Sequence, residues 1–226
     1  MIRRDYLLRM IEELRRVLAA IIESKTAGRW QEASGSITGQ MHRLVGVDPD
    51  AAARLTETEL RARLVGGEST QVVPEKIQIL AALFKEAGDI AETENQPAAA
   101  RRYRIKALEL LLSTPESNDP EEIPDFIPRV ESLAALLSEM PLAPGMQAGL
   151  MYHFERMGNF AKAEDSLHAL WDADPQNEGI LDFGIAFYER MLQLSDVTLL
   201  GGNLPRQEVE SELGQWRQRR TMEPVA

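Results

Sequence analysis

The sequence predicts an all-α protein, built of helical hairpins stacked in two halves. Three observations predict it. Apolar residues recur at a period near 3.6 along almost the whole chain, which draws a stripe down one helix face. No window alternates with the period of two that a half-buried strand requires. Glycines and prolines punctuate the periodic segments, ending one helix and opening the next.

In the first helix Leu7, Met10, Ile11, Leu14, Leu18, Ile21 and Ile22 step by three and four, with Arg3, Arg4, Arg9, Arg15 and Arg16 on the opposite face. Gly28 ends it, where a left-handed residue is most often glycine. A second helix runs from about Trp30 to Leu44 and stops before Gly46-Val47-Asp48-Pro49. Thr56, with Glu59 three residues on, forms a capping box for a shorter helix that ends at Gly66-Gly67. Pro74 opens a helix carrying Ile77, Leu80, Leu83, Phe84 and Ala87, and Pro97 opens its partner, with Tyr103, Ala107, Leu110 and Leu111. The stretch STPESNDPEEIPDFIP then brings four prolines and five acids, so it cannot be one uninterrupted helix. It is expected to be a proline-rich acidic linker, 113–127, between N-terminal hairpins (1–112) and C-terminal hairpins (128–226). Beyond it, helices are expected at about 128–139, 144–157, 160–173, 177–194 and 205–219.

Composition removes whole classes of function. The chain has 226 residues, no cysteine, and 25 basic against 36 acidic side chains, for a net charge of −11. Without cysteine there is no disulfide scaffold, no zinc–thiolate site and no thiol nucleophile. An acidic surface repels phosphates, so nucleic acid is not an expected partner. The longest apolar run near the start, Val17 to Ile22, is far short of the roughly 20 residues of a spanning helix. Charges recur through MIRRDYLLRMIEELRR in place of an export leader. No membrane association and a cytoplasmic location are therefore expected.

Residues 144–175, PGMQAGLMYHFERMGNFAKAEDSLHALWDADP, resemble one tetratricopeptide repeat, the helix–turn–helix unit of about 34 residues. The matching positions are Leu150, Phe154, Gly158, Asn159, Phe160, Ala163, Leu167 and Pro175. Gly158-Asn159 would make the turn, Phe160 anchor the second helix, and Ala163 let the helices approach. Residues 81–114 are a looser match through Phe84, Ala87, Gly88, Ala100 and Ala107, with no glycine at the turn. Partial echoes begin near Gly28 and at Asn177, the latter broken by Leu199-Leu200-Gly201-Gly202-Asn203. The spacing is irregular, so unequal hairpins are expected instead of a continuous superhelix. The opening, followed by Lys25-x-x-Gly28-x-Trp30-x-x-Ala33, also resembles a bacterial family of uncharacterised tetratricopeptide-like proteins.

The resemblance implies where a partner would lie, because the family's grooves are lined by each first helix. Those positions are Lys85, Asp89 and Glu92 in one unit, and Ala148, Tyr152, Glu155 and Arg156 in the other. The family's carboxylate clamp uses lysine and asparagine there. Ala148 and Tyr152 replace that pair, and Asp89 opposes it, so an acidic peptide terminus is not the expected ligand. A groove centred on Tyr152 and Arg156 suits a peptide or helix with apolar anchors.

Catalytic chemistry has little to stand on. The three histidines are His42, His153 and His168, and the Glu-x-x-His pairs of a di-iron bundle are missing. His153 and His168 are expected at surface-leaning positions. Gly35-Ser36-Ile37-Thr38-Gly39 has its serine out of place for a nucleophile elbow, and its small residues are expected to let helices pack closely. No phosphate-loop pattern occurs. Glu86, Asp89 and Glu92 share one helix face, expected to be solvated or else to meet a cation or basic partner. Residues 1–30 carry a net charge of +3 and the rest −14, so the basic first helix could dock on an acidic surface of its own body or of a second copy. Trp216-Arg217-Gln218-Arg219-Arg220 is expected to be a frayed amphipathic end or a partner contact.

The expected function is a non-catalytic scaffold binding a protein or peptide, with no cofactor or metal. Two alternatives stand beside it. One is a small-molecule sensor or enzyme with a pocket between the halves, walled in part by Phe126 to Pro128. The other is a structural homodimer formed through the first helix.

Overall fold

The computed structural model describes residues 2–66, 72–114 and 126–221, with the side chains of 2–8, 10 and 11 outside that description. The protein is all-helical: the described residues form helices and contain no strand. Two compact units divide the chain, Met1–Met140 and Pro141–Ala226. Most of the proline-rich stretch, together with Gly67 and the side chains of Arg3, Arg4, Leu7, Met10 and Ile11, lies outside the described residues.

The first unit comprises α1 (Ile2–Thr26), α2 (Trp30–Val45), α3 (Pro49–Arg54), α4 (Glu57–Val65), α5 (Val73–Thr93), α6 (Pro97–Leu112) and α7 (Val130–Leu136). Local chemistry sets many of the ends. The Asp48 carboxylate accepts from the Ala51 amide at 2.8 Å and caps α3. Thr56 and Glu59 form the expected capping box on α4. Asn95, with φ of 59°, occupies the left-handed position at the turn from α5 to α6, one of the few residue types that adopts it readily. It does there what a repeat glycine would do.

Fourteen of the 21 residues of α5 are buried, so this helix is the axis of the unit. It packs against α1, α2, α4 and α6, while α7 lies on α6. Leu18, Ile21, Ile37, Met41, Leu60, Leu64, Ile77, Leu80 and Phe84 make the core between them.

The second unit comprises α8 (Pro144–Arg156), α9 (Phe160–Ala173), α10 (Glu178–Met191), α11 (Asp196–Gly201) and α12 (Arg206–Thr221). Gly158 turns α8 into α9 with φ of +73°, and the Asn159 amide closes the turn by donating to Phe154 O at 2.9 Å. Phe160, Ala163 and Leu167 are buried on the facing side of α9. The six-residue α11 sits where the sequence pattern broke, N-capped by Ser195. Its C-cap, Gly202, accepts from the Ala161 amide at 3.0 Å and lies against Phe160.

Three expectations are corrected. Trp216 is wholly buried and α12 continues as helix to Thr221, so this end is anchored in the core through Trp216, with Arg217, Gln218 and Arg220 exposed beside it, and is not a frayed tail. Its indole lies 5.4 Å from the Trp171 ring and 6.1 Å from Tyr188, with the Arg219 guanidinium 5.1 Å away. His153 is buried too, edge-on to Phe154 at 5.2 Å, because it shares the inward face of α8 with Leu150. Gly35 and Gly39 face open space and mediate no close helix approach; Ile37 between them is the buried residue.

Gly184 on α10 is required by Trp216, since a Cβ at that position would overlap the indole ring. Replacing Gly184 with alanine should lower the unfolding free energy by about 1–3 kcal/mol through overpacking. Urea denaturation followed by circular dichroism measures this, and an unchanged midpoint would refute the close approach.

Candidate functional site

Pro144 begins α8 and the Gly158 turn ends it, so Ala148, Tyr152 and Arg156, spaced by four, share one face. Tyr152 is 54% exposed. Its ring meets Phe183 of α10 edge-on, with centroids 5.2 Å apart and planes at 75°. One turn along, both carboxylate oxygens of Glu155 accept from Arg190 of α10, from Nε and Nη2, each at 2.7 Å. This bidentate pair fixes α10 on α8 and raises the Arg190 pKa above its ordinary value. Arg156 and Met157 are exposed beside them. An aromatic pair, a locked ion pair and an exposed arginine thus occupy neighbouring turns on the α8–α10 face.

Lys85, Asp89 and Glu92 come together on α5 in a different setting. Asp89 sits among three cations: Lys25 of α1 at 2.6 Å, Lys85 at 2.9 Å, and Arg104 of α6 at 3.4 Å. Arg104 also reaches Glu92 at 3.0 Å. Glu86, one turn before Asp89, is buried and paired with both Lys25 and Lys85. The expected solvated acidic face is therefore corrected: its basic partners come from the same unit, and Glu86 is only 3% exposed. Burial works to raise the Asp89 pKa, but hydrogen bonds from Lys25 and Lys85 outweigh it and hold the carboxyl below its usual value.

A third cluster went unrecognised in the sequence. Glu164 of α9 is buried and accepts a hydrogen bond from the Tyr188 hydroxyl at 2.8 Å. His168 Nε2 lies 3.4 Å from that hydroxyl and 3.7 Å from Glu212 of α12. Burial, followed by the nearby charges of Glu208, Glu212 and Asp165, pushes the Glu164 pKa up to about 7 against the Tyr188 hydrogen bond. One signal could have exposed it: Glu164 follows Phe160 by four residues, at a position the apolar stripe of α9 buries.

Two measurements follow from these clusters. Asp89→Ala should cost about 1–3 kcal/mol of stability, because it removes the acceptor that Lys25, Lys85 and Arg104 share and leaves them only Glu86 and Glu92. Combined with Lys25→Met in a double-mutant cycle, it should be non-additive; strictly additive losses would deny the contact. For Glu164 the folded pKa of about 7 lies above the ordinary 4.5. Its stabilising contribution is therefore present at low pH and lost as pH rises through about 7. Glu164→Gln should flatten the fall in denaturation midpoint across that window, and an unaltered pH profile would contradict the shift.

Residues 1–221 match a family described as being of unknown function, DUF6483. Comparison with curated proteins and with solved structures finds no match. Among the described residues no helix is long and apolar enough to cross a membrane. With the family match running from the start of α1 to the end of α12, the chain belongs to the DUF6483 family of unknown function.

Proposed function

We propose that this protein is a non-catalytic, tetratricopeptide-like scaffold that holds a protein or peptide partner on the α8–α10 face. The observation that carries this reading is Tyr152, left 54% exposed against Phe183 on two helices locked together by Glu155 and Arg190. Aromatic and arginine side chains on a rigid support are the typical anchors of protein interfaces, because they bury large area with little loss of freedom. Met157 extends the apolar part of the face, and Arg156 adds positive charge to it. The fitting partner is a segment with an apolar side chain for the Tyr152–Phe183 pair.

Lys85, Asp89 and Glu92 do not enter this site. Their charges are engaged within the first unit, so their contribution is to the fold that carries the partner face.

The test is capture of partners on the full-length protein, with Tyr152→Ala/Arg156→Ala as the comparison. Loss of one interface anchor costs about 2 kcal/mol or more, so the double variant should lose captured protein at least about tenfold. Its circular dichroism spectrum should match that of the unaltered protein. Capture at full strength by the double variant would remove the assignment.

A further inference from the structure

A cavity of about 330 Å³ opens within the first unit, lined from α1, α2, α4 and α5. Its charge departs from that of the chain. Arg43, Arg63 and Lys76 line it, against Glu13 as the carboxylate among the lining residues, in a protein whose net charge is −11. Two of the cations are held in place by helix ends. Arg63 donates to Val45 O at 2.8 Å, where α2 terminates, and Lys76 donates to Leu64 O at 3.2 Å, near the end of α4. Both answer carbonyls that a helix C-terminus leaves unpaired. Lys76 is nevertheless only 6% exposed, a costly place for an ammonium group.

Arg43 differs from these two. Its contact with Glu13 is 4.0 Å long and both side chains are 70% exposed, a geometry that contributes little and is easily exchanged. The opposite polarity is offered by Gln40. It is 5% exposed, lines the same cavity, and its Oε1 has no hydrogen-bond partner among the described residues. A ligand that donates to this buried acceptor would relieve the cost of leaving it unpaired. Leu14, Leu44 and Leu64 supply apolar wall between the charged groups.

We propose that this cavity is a binding site for a small organic anion. A carboxylate or phosphate group would lie at Arg43 and Arg63, a short apolar body along the three leucines, and a hydroxyl donor at Gln40 Oε1. The volume belongs to the small end of ligand cavities, which start at about 300 Å³, and suits one ring or a short chain. This site lies in the first unit and is independent of the Tyr152 face.

Titration calorimetry on the full chain tests it with 3-phenyllactate and phenyl phosphate as probes, and with benzyl alcohol and inorganic phosphate as controls. At least one organic anion should bind, with a dissociation constant below about 1 mM, and raise the melting temperature by mass action. Arg43→Ala, a change at an exposed side chain, should weaken it about tenfold with the fold intact. 3-Phenyllactate should bind more tightly than 3-phenylpropanoate, which lacks its hydroxyl, and Gln40→Leu should erase that preference. The proposal is overturned if neither organic anion binds, if benzyl alcohol binds equally well, or if inorganic phosphate matches both probes. Unchanged affinity in both Arg43→Ala and Arg63→Gln would overturn it as well.

Discussion

Helix α5 is buried on nearly every side, and one of its turns carries the carboxylates of Glu86 and Asp89. A carboxylate removed from water must be met by cations and hydrogen bonds or it will not stay ionised. The neighbouring helices supply them. Lys25, at the end of α1, and Arg104, in α6, reach the same turn from different helices. The ion cluster therefore acts as a register mark: α1 and α6 can slide along the apolar surface of α5 only by abandoning it. Gly88, within the same turn, brings the Arg104 side chain and the Ala100 carbonyl within contact distance, so backbone shape and charge specify one arrangement.

The second unit reaches the same end with an aromatic side chain. Trp216 projects from α12 into the space between α9 and α10, and Gly184 leaves room for its ring. Around it lie His168 and Tyr188, and Tyr188 in turn donates to the buried carboxylate of Glu164, whose pKa burial raises. Burial supplies stability and the raised proton affinity together. The α8–α10 face, in contrast, keeps an aromatic side chain at the surface, supported by a bidentate ion pair.

Helices and turns were legible wherever the signal was local. The capping box at Thr56, the prolines at 74, 97 and 144, and Gly158 each act within a few residues, and each marks a real boundary. The helix over Phe160–Ala173 stands where the apolar spacing puts it. The six-residue α3 and α11 were not legible, because less than two turns cannot display a period. Long-range pairings were equally hidden. Lys25 meets Glu86 across 61 positions of chain, and nothing local to either distinguishes a buried pair from two solvated charges. Gly184 lies within the partial echo that begins at Asn177, and Trp216 reads as a tail residue, so only packing shows that the two are joined. Gly35 and Gly39 misled in the opposite direction, since small residues on a helix suggest close packing only where a neighbour exists. Tyr152 was named as a site residue from its repeat position, but its contact with Phe183 and the Glu155–Arg190 pair depend on where α10 lies.

The three tryptophans are divided unevenly between the units: Trp30 stands alone in the first, while the Trp171 and Trp216 rings meet at a tilt of 58° in the second. Indole rings 5.4 Å apart couple their electronic transitions, and the coupling vanishes once their mutual orientation is lost. The second unit thus carries a built-in chromophore pair, whose exciton band in the ultraviolet reports its integrity in the intact chain, without labels and without a contribution from the isolated Trp30.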